Sequence, residues 1–311
     1  MNSNKKFEIR SFYRFIKVKN KEKIKRELDE FFKNKTIKGT ILLSNEGING
    51  SLSGTEADLN KCIRFLKFKL GIKKINSKTN KVEYLPFNRL KIRLKKEIVS
   101  LGKGEMDINK LRGKLVSPEK WNEIITKKNI KIIDVRNIYE ISIGKFKGAF
   151  DPKTNNFREF PESFKKLNLD KKDEIGMYCT GGIRCEKASS LLRKLGYKNV
   201  YQLEGGIINY LNYIRSNKKR SLWYGECFVF DERVTINKNL EKGKYLQCYG
   251  CRRPIQKKDT KSFHYKKGVH CPYCYKSRTK KQKERSATRQ GQIEKAIADN
   301  TYNPFIKIKN I

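Results

Sequence analysis

Cys179 and Arg184, with Thr180, Gly181, Gly182 and Ile183 between them, are the most compact set of residues in the chain able to do chemistry. Ile175 to Tyr178 reads as a short buried strand, and Cys185 to Leu195 carries apolar or small residues at Cys185, Ala188, Leu191, Leu192 and Leu195, one face of a helix. The loop from Cys179 therefore curls over a helix N-terminus. Its two glycines let backbone amides turn inward, and those amides with the helix dipole stabilise a thiolate, a persulfide or a bound oxyanion. Arg184 adds a fixed positive charge, and Cys185 is placed either to trap an oxidised Cys179 as a disulfide or simply to pack. A lone cysteine on such a turn is more often structural. The motif formed by the segments on either side of this one reverses that preference.

A second constellation is Cys248-x2-Cys251 and Cys271-x2-Cys274, the pairs separated by 19 residues, 252 to 270. Two such knuckles bring four thiolates to one tetrahedral ion, which predicts a zinc ribbon. A closed four-thiolate site is structural and leaves no open position for catalysis. The only histidines, His264 and His270, can each replace a cysteine ligand, although four sulfurs suffice.

The elements that must position Cys179 lie on both sides of it. Ile132-Ile133-Asp134-Val135-Arg136-Asn137 is a core strand running into a polar turn, followed by Tyr139-Glu140 and a turn from Gly144 to Gly148. Val200-Tyr201-Gln202-Leu203 is a further strand, closed by Glu204-Gly205-Gly206. Over about residues 120 to 220 this pattern resembles a rhodanese domain: the Asp-Val-Arg motif, a six-residue active loop opened by Cys179, and a Leu-Glu-Gly-Gly closing strand. Lys145 departs from it, since rhodanese domains usually carry a histidine there. Related dual-specificity phosphatases have one more residue between cysteine and arginine; the four here size the cradle for sulfur and disfavour a phosphatase. Asp134 and Arg136 are expected to brace the loop rather than to react.

Residues 1 to about 115 alternate between strand and helix patterns. Glu8 to Val18 begins as a strand, Glu22 to Phe32 has a helical apolar stripe, Thr40 to Ser44 is a strand, Gly47-Ile48-Asn49-Gly50 a tight turn and Ser51 to Ser53 its partner. Thr55 caps a helix through Leu59, Ile63 and Leu66, and Leu90 to Leu94 is the last strand. The order βαββαβ suggests a ferredoxin-like sandwich. Phe12, Tyr13 and Phe15 suit a core better than base stacking, and the Glu46 to Gly50 turn is expected to face the active site.

The fold class is therefore α/β, with a ferredoxin-like α+β domain (1–115), a rhodanese domain with a parallel sheet (116–220), and a cysteine-rich, zinc-binding segment with a basic tail (221–311). The chain carries 73 basic and 32 acidic residues, net +41, which draws it to polyanions. The bias to 54 Lys over 19 Arg, with abundant Asn and Ile, is that of an AT-rich genome and accounts for part of this excess. Beyond the ribbon, Lys276, Arg278, Lys280, Lys281, Lys283, Arg285 and Arg289 meet one acid, Glu284, over fourteen residues. That density suits phosphate contacts as well as it suits a solvated helix face, and the ribbon beside it tips the balance to RNA. No apolar run approaches membrane-spanning length, Lys5 and Lys6 precede no apolar block, and eight cysteines without a targeting segment fit a reducing cytosol.

Three further segments extend the resemblance: Asn156-Phe157-Arg158-Glu159-Phe160-Pro161, Gly205-Gly206-Ile207-Ile208-Asn209-Tyr210, and Gly225 to Arg233. With Glu46 to Gly50 and Cys179 to Lys187, they make nearly the whole chain resemble the oxygen-dependent tRNA uridine hydroxylases, the TrhO/YceA-like rhodanese proteins. The resemblance implies formation of 5-hydroxyuridine at the wobble position of tRNA, with molecular oxygen as co-substrate and Cys179 as the reactive cysteine. The competing reading is a sulfurtransferase carrying a persulfide on Cys179 from a sulfur donor; a zinc ribbon and basic tail favour the tRNA enzyme over it. A non-catalytic RNA-binding module conflicts with the intact cysteine loop. No NAD, flavin or phosphate-loop motif is present, and two histidines do not furnish a redox-iron site.

Overall fold

The computed structural model describes residues 7–104 and 106–301, so the expectations resting on Lys5 and Lys6 and the last ten residues of the C-terminal segment lie outside the described residues. The chain divides into two compact units. One runs to Cys227 and takes back Lys238–Leu240; the other comprises Phe228–Asn237 and the chain from Glu241 onward.

The first unit begins with β1 (Phe7–Phe15), α1 (Lys21–Phe32), β2 (Lys38–Ser44), β3 (Gly47–Gly54), α2 (Glu56–Leu70), β4 (Asn76–Val82) and β5 (Leu90–Leu94). The sheet order is β4-β1-β3-β2-β5. β1 pairs antiparallel with both β3 and β4, β2 antiparallel with β3, and β5 parallel with β2. The first four strands make a ferredoxin-like sheet. Its fourth strand is not Leu90 to Leu94, as the apolar pattern suggested, but Asn76–Val82, an edge strand so polar that no hydrophobic alternation marks it. Leu90–Leu94 is an added strand on the opposite edge.

Period-two patterning explains the two faces of this sheet. Phe12, Ile41, Leu43, Ile48 and Leu52 pack under Leu28, Phe32, Leu59 and Leu66 of the two helices. Thr55 caps α2, accepting from the Asp58 amide at 3.2 Å. Gly47 to Gly50 is strand rather than turn, and its glycines serve close approach: a Cβ on Gly50 would stand 2.5 Å from the Phe12 ring. The opposite face carries Ser11, Tyr13, Asn49, Ser51 and Lys78, since Tyr13 is registered with Asn49, and Ser11 with Ser51 and Lys78.

The chain continues through α3 (Ile108–Leu111), β6 (Lys114–Val116), α4 (Pro118–Ile125), β7 (Ile130–Asp134), α5 (Ile138–Ile141), β8 (Gly144–Phe146), α6 (Phe160–Lys165), β9 (Glu174–Tyr178), α7 (Ile183–Lys194), β10 (Asn199–Leu203), α8 (Gly206–Ser216) and β11 (Trp223–Gly225). A parallel sheet of order β6-β10-β9-β7 forms the centre. Ile133, Ile175, Met177 and Val200 of its strands pack with Ala188, Leu191 and Leu192 of α7 and with Phe160 and Phe164 of α6. Both faces are apolar, as a parallel sheet between helices requires. Phe15, Ile98 and Ile108 form a small cluster with Tyr13, Met106 and Ile183, tying the antiparallel sheet to the start of α7.

In the second unit, Cys248, Ile255, Cys271 and Cys274 make a small core with Cys251 and Tyr265. A final helix, α9 (Lys280–Ala298), is opened by a capping box of Thr279 and Gln282.

Candidate active site and metal centre

The C-terminal ends of β7, β9 and β10 open on the same edge of the parallel sheet, where ligands of α/β folds bind. Cys179 follows β9 directly and is 1% exposed. Gly182 is the N-cap of α7, with φ 96°. A residue with a side chain resists that conformation, and here it turns the Gly182 amide onto the Cys179 sulfur at 3.1 Å. A second helix closes the loop from beneath: the Ile207 and Ile208 amides at the start of α8 donate to the carbonyls of Cys179 and Thr180 at 3.0 and 3.2 Å.

Burial alone raises a thiol pKa, and it does so for Cys62 and Cys227, each pushed up to about 12. Cys179 is buried too, yet it is lowered to about 5, because the Cys185 thiol and amide, the Arg184 charge and the Gly182 amide together outweigh desolvation. Cys179 is therefore a thiolate at neutral pH. Burial and then the adjacent thiolate push Cys185 well above its ordinary value, leaving it a protonated donor.

Arg184 does not point freely into the loop. Its guanidinium makes a buried, bidentate pair with Glu140 at 2.7 and 2.8 Å and also reaches Thr180 Oγ1 at 3.4 Å. Glu140, fully buried on α5, is the partner that sequence reasoning left without a role; its only sequence mark was its place three residues after Asn137, where it also accepts the Asn137 amide at 3.1 Å. Asp134 and Arg136 form a second buried pair, Nη2 to Oδ2 at 2.6 Å, and Arg136 donates onward to the carbonyls of Glu140 and Gly144. The two pairs share α5, so the strand end, the turn and the cysteine loop are one braced body.

The polar face of the antiparallel sheet lies against this loop. Tyr13 donates to Glu186 of α7 at 3.2 Å, and its hydroxyl is 3.2 Å from where a Cβ on Gly182 would stand. Lys187 is 1% exposed and is gripped by Glu46 at 2.8 Å and by Glu97. Glu46 also accepts the Ile98 amide at 2.7 Å, and Asn49 donates to the Ile98 carbonyl at 3.0 Å. The Glu46 to Gly50 segment thus reaches α7 one turn beyond the Cys179 loop. Phe12 and Phe15 are core, whereas Tyr13, read with them, stands at the site. Cys227, at the end of this unit, is buried and hydrogen-bonded with Thr180.

In the second unit the ligand sulfurs of Cys248, Cys251, Cys271 and Cys274 all lie within 4.8 Å of one another. Observed separations are 3.9 Å for Cys248 to Cys274, 3.9 Å for Cys251 to Cys271 and 3.8 Å for Cys271 to Cys274. Tetrahedral zinc with sulfurs at about 2.3 Å needs sulfur pairs at about 3.8 Å, so the four cysteines fit the ion. The histidines are not in the cluster; His270 Nδ1 bonds the His264 carbonyl at 2.9 Å.

The basic run divides into two roles. Arg278 donates to the Gly250 carbonyl and to Ser286, Arg289 to the carbonyls of Tyr249 and Gly268, and Lys283 sits 4.1 Å from the centre of the Tyr275 ring. Lys276, Lys280, Lys281 and Arg285 are exposed. No helix among the described residues is long and apolar enough to cross a membrane.

Comparison with known proteins completes the picture. Residues 7–98 match the UPF0176 acylphosphatase-like domain and residues 117–212 the rhodanese-like domain. The chain is 44% identical over 302 residues to the tRNA uridine(34) hydroxylase of Pelagibacter ubique strain HTCC1062, covering 97% of this chain and 99% of that protein. Among solved structures it is similar to a rhodanese-related protein from Thermoplasma volcanium (24% identity, 32% of this chain and 92% of that chain, TM-score 0.28). It is also similar to a rhodanese-like domain protein from Staphylococcus aureus (22% identity, 31% and 90%, TM-score 0.27).

Proposed function

Since the chain belongs to the tRNA uridine(34) hydroxylase family, we propose that it is a tRNA-modifying enzyme that converts the wobble uridine to 5-hydroxyuridine with molecular oxygen as co-substrate. The observation that carries this reading is kinship over essentially the full length of both chains, supported by a cysteine loop with every brace in place. In the monooxygenase form of the reaction, the C5–H bond becomes C5–OH, and the second oxygen atom leaves as water with two electrons and two protons from a reductant.

Cys179 is the residue proposed to react, as a thiolate or persulfide. Thr180, Gly181, Gly182 and Ile183 supply the loop backbone that supports its negative charge, and Arg184 adds positive charge while Glu140 holds its orientation. Asp134 and Arg136 act through the loop's foundation. Cys185 donates to the Cys179 sulfur and is placed to form a disulfide with it if Cys179 is oxidised. Zinc on Cys248, Cys251, Cys271 and Cys274 would supply a closed structural cross-link, and the exposed basic residues on and before α9 suit the tRNA backbone.

The test is mass spectrometry of nucleosides from tRNA incubated aerobically with the protein and with its Cys179→Ser variant. A gain of one oxygen on uridine that disappears in the variant is the expected outcome. A gain of sulfur would replace the proposal with a tRNA thiolation enzyme. Persulfide on Cys179 with unchanged tRNA would make the protein a sulfurtransferase.

A further inference from the structure

Lys78 is out of character for this chain. Most of its lysines are spread over solvated surface, but the Lys78 ammonium is buried and has no hydrogen-bond partner among the described residues. Taking an ammonium out of water without a partner is unfavourable. The cost identifies a group held ready for something else.

Its position says what. Lys78 stands on the edge strand β4 opposite Ser11, two residues along from the pair of Tyr13 with Asn76. Its Nζ lies over Gly205: a Cβ there would be 2.3 Å from Nζ. A Cβ on Gly182 would be 3.4 Å from Gly205 Cα and 3.2 Å from the Tyr13 hydroxyl. Tyr13 therefore packs on the glycine whose amide holds the Cys179 sulfur, and Lys78 on Gly205, which lies against that glycine. The charged and titratable groups around the ammonium are Cys179, Glu204 and Cys227; burial lowers its pKa to about 8, against the pull of these groups, so it stays largely cationic at neutral pH. The Cys179 sulfur already accepts from Gly182 and Cys185, which leaves the donors of Lys78 uncommitted.

We infer that Lys78 is a substrate-contacting residue, its ammonium meeting an oxygen of the group that reacts at Cys179. On the function proposed above, that oxygen is a carbonyl oxygen of the uracil ring; the identity of the base rests on that reading, whereas the oxygen-accepting seat does not. The seat is supplied by the antiparallel domain, so the reactive loop is complete only with both domains of the first unit.

The test separates the two claims. Full-length protein, Lys78→Met and Lys78→Arg are alkylated at neutral pH with iodoacetate and with iodoacetamide, and modification is read at the Cys179 peptide. The two reagents react with the same thiolate and differ in whether they carry a carboxylate, so their rate ratio is insensitive to a change in Cys179 acidity. Expected is a fall of about tenfold in the iodoacetate-to-iodoacetamide ratio in Lys78→Met, largely kept in Lys78→Arg; about tenfold corresponds to about 1.4 kcal/mol. An unchanged ratio in a Lys78→Met protein with a native melting transition overturns the inference. Should Lys78→Met not fold, Lys78→Gln replaces it and is judged by the same ratio. In parallel, kcat/KM for tRNA hydroxylation should fall at least about tenfold in the neutral variant. If wild-type protein makes no 5-hydroxyuridine, the proposed function fails while the reagent ratio still decides the role of Lys78.

Discussion

The acidity of Cys179 has a cause that can be titrated. Of the buried thiols, Cys62 and Cys227 are raised chiefly by burial, and Cys179 shows what a neighbouring thiol, a guanidinium and a glycine-shaped amide do against it. Alkylation of Cys179 by iodoacetamide should therefore follow a single titration near pH 5. The same shift is a stability term. An acid whose folded pKa is depressed stabilises the fold above its unfolded value, and that contribution is lost as pH falls from 9 toward about 5. The stability of wild type relative to Cys179→Ser should accordingly shrink between pH 9 and pH 5, measured by denaturant melts at each pH. Glu140 is the other decisive residue. Glu140→Gln strands a buried guanidinium, which should cost about 3–5 kcal/mol. Desolvation works against the Glu140 carboxylate, but Arg184 and Arg136 hold its pKa below the ordinary value. Its stabilising effect is thus present at neutral pH and lost only in acid, so the melting deficit of Glu140→Gln should narrow below about pH 4.

At the level of elements, the loop is clamped between two helix N-termini. α7 presents the amide at Gly182, and α8 holds the carbonyls of Cys179 and Thr180 from below. Gly206 lies at their meeting point with φ 68°, and a Cβ there would stand 2.3 Å from the Cys179 carbonyl oxygen and 2.8 Å from the Gly182 nitrogen. Gly206→Ala should destabilise the protein by at least about 1–2 kcal/mol from the left-handed backbone alone. It should also slow Cys179 alkylation, because the clash displaces the loop itself. Gly181→Ala is the matched control: nothing lies within 4 Å of its Cβ position and its φ is not positive, so its melting point should stay within a degree or two of wild type.

For the molecule as a whole, charge and metal set the expectations. The net charge of +41 predicts tRNA binding that weakens steeply with salt, as counterion release demands. The internal bonding of Arg278, Arg289 and Lys283 refines the prediction: neutralising Lys280, Lys281 and Arg285 together should flatten the salt dependence without lowering the melting temperature, whereas Arg289→Ala should lower it. The four-cysteine unit should release one zinc per chain to a competing chelator, and Cys271→Ser should bind none. Structural zinc in small domains contributes about 10–16 kcal/mol of apparent binding energy, so limited proteolysis should attack this unit first once the metal is gone.

The parts legible along the chain are those whose signals are local. The Cys179 to Arg184 loop, the flanking strands, the helix Thr55 caps, and the knuckle spacing of Cys248, Cys251, Cys271 and Cys274 all depend on residues a few positions apart, where periodicity, glycine and ligand spacing are legible. Tertiary structure decided what depends on partners far along the chain. Glu140 and Arg184 are 44 positions apart, and no pattern announces that one carboxylate orients the other's charge. The ferredoxin-like fourth strand was hidden because Asn76–Val82 lies at a sheet edge, where backbone pairing with β1 suffices and apolar side chains are not required. That strand brings Lys78 to the loop. A lysine among 54 becomes distinctive only when the fold takes its ammonium out of water and sets it over Gly205.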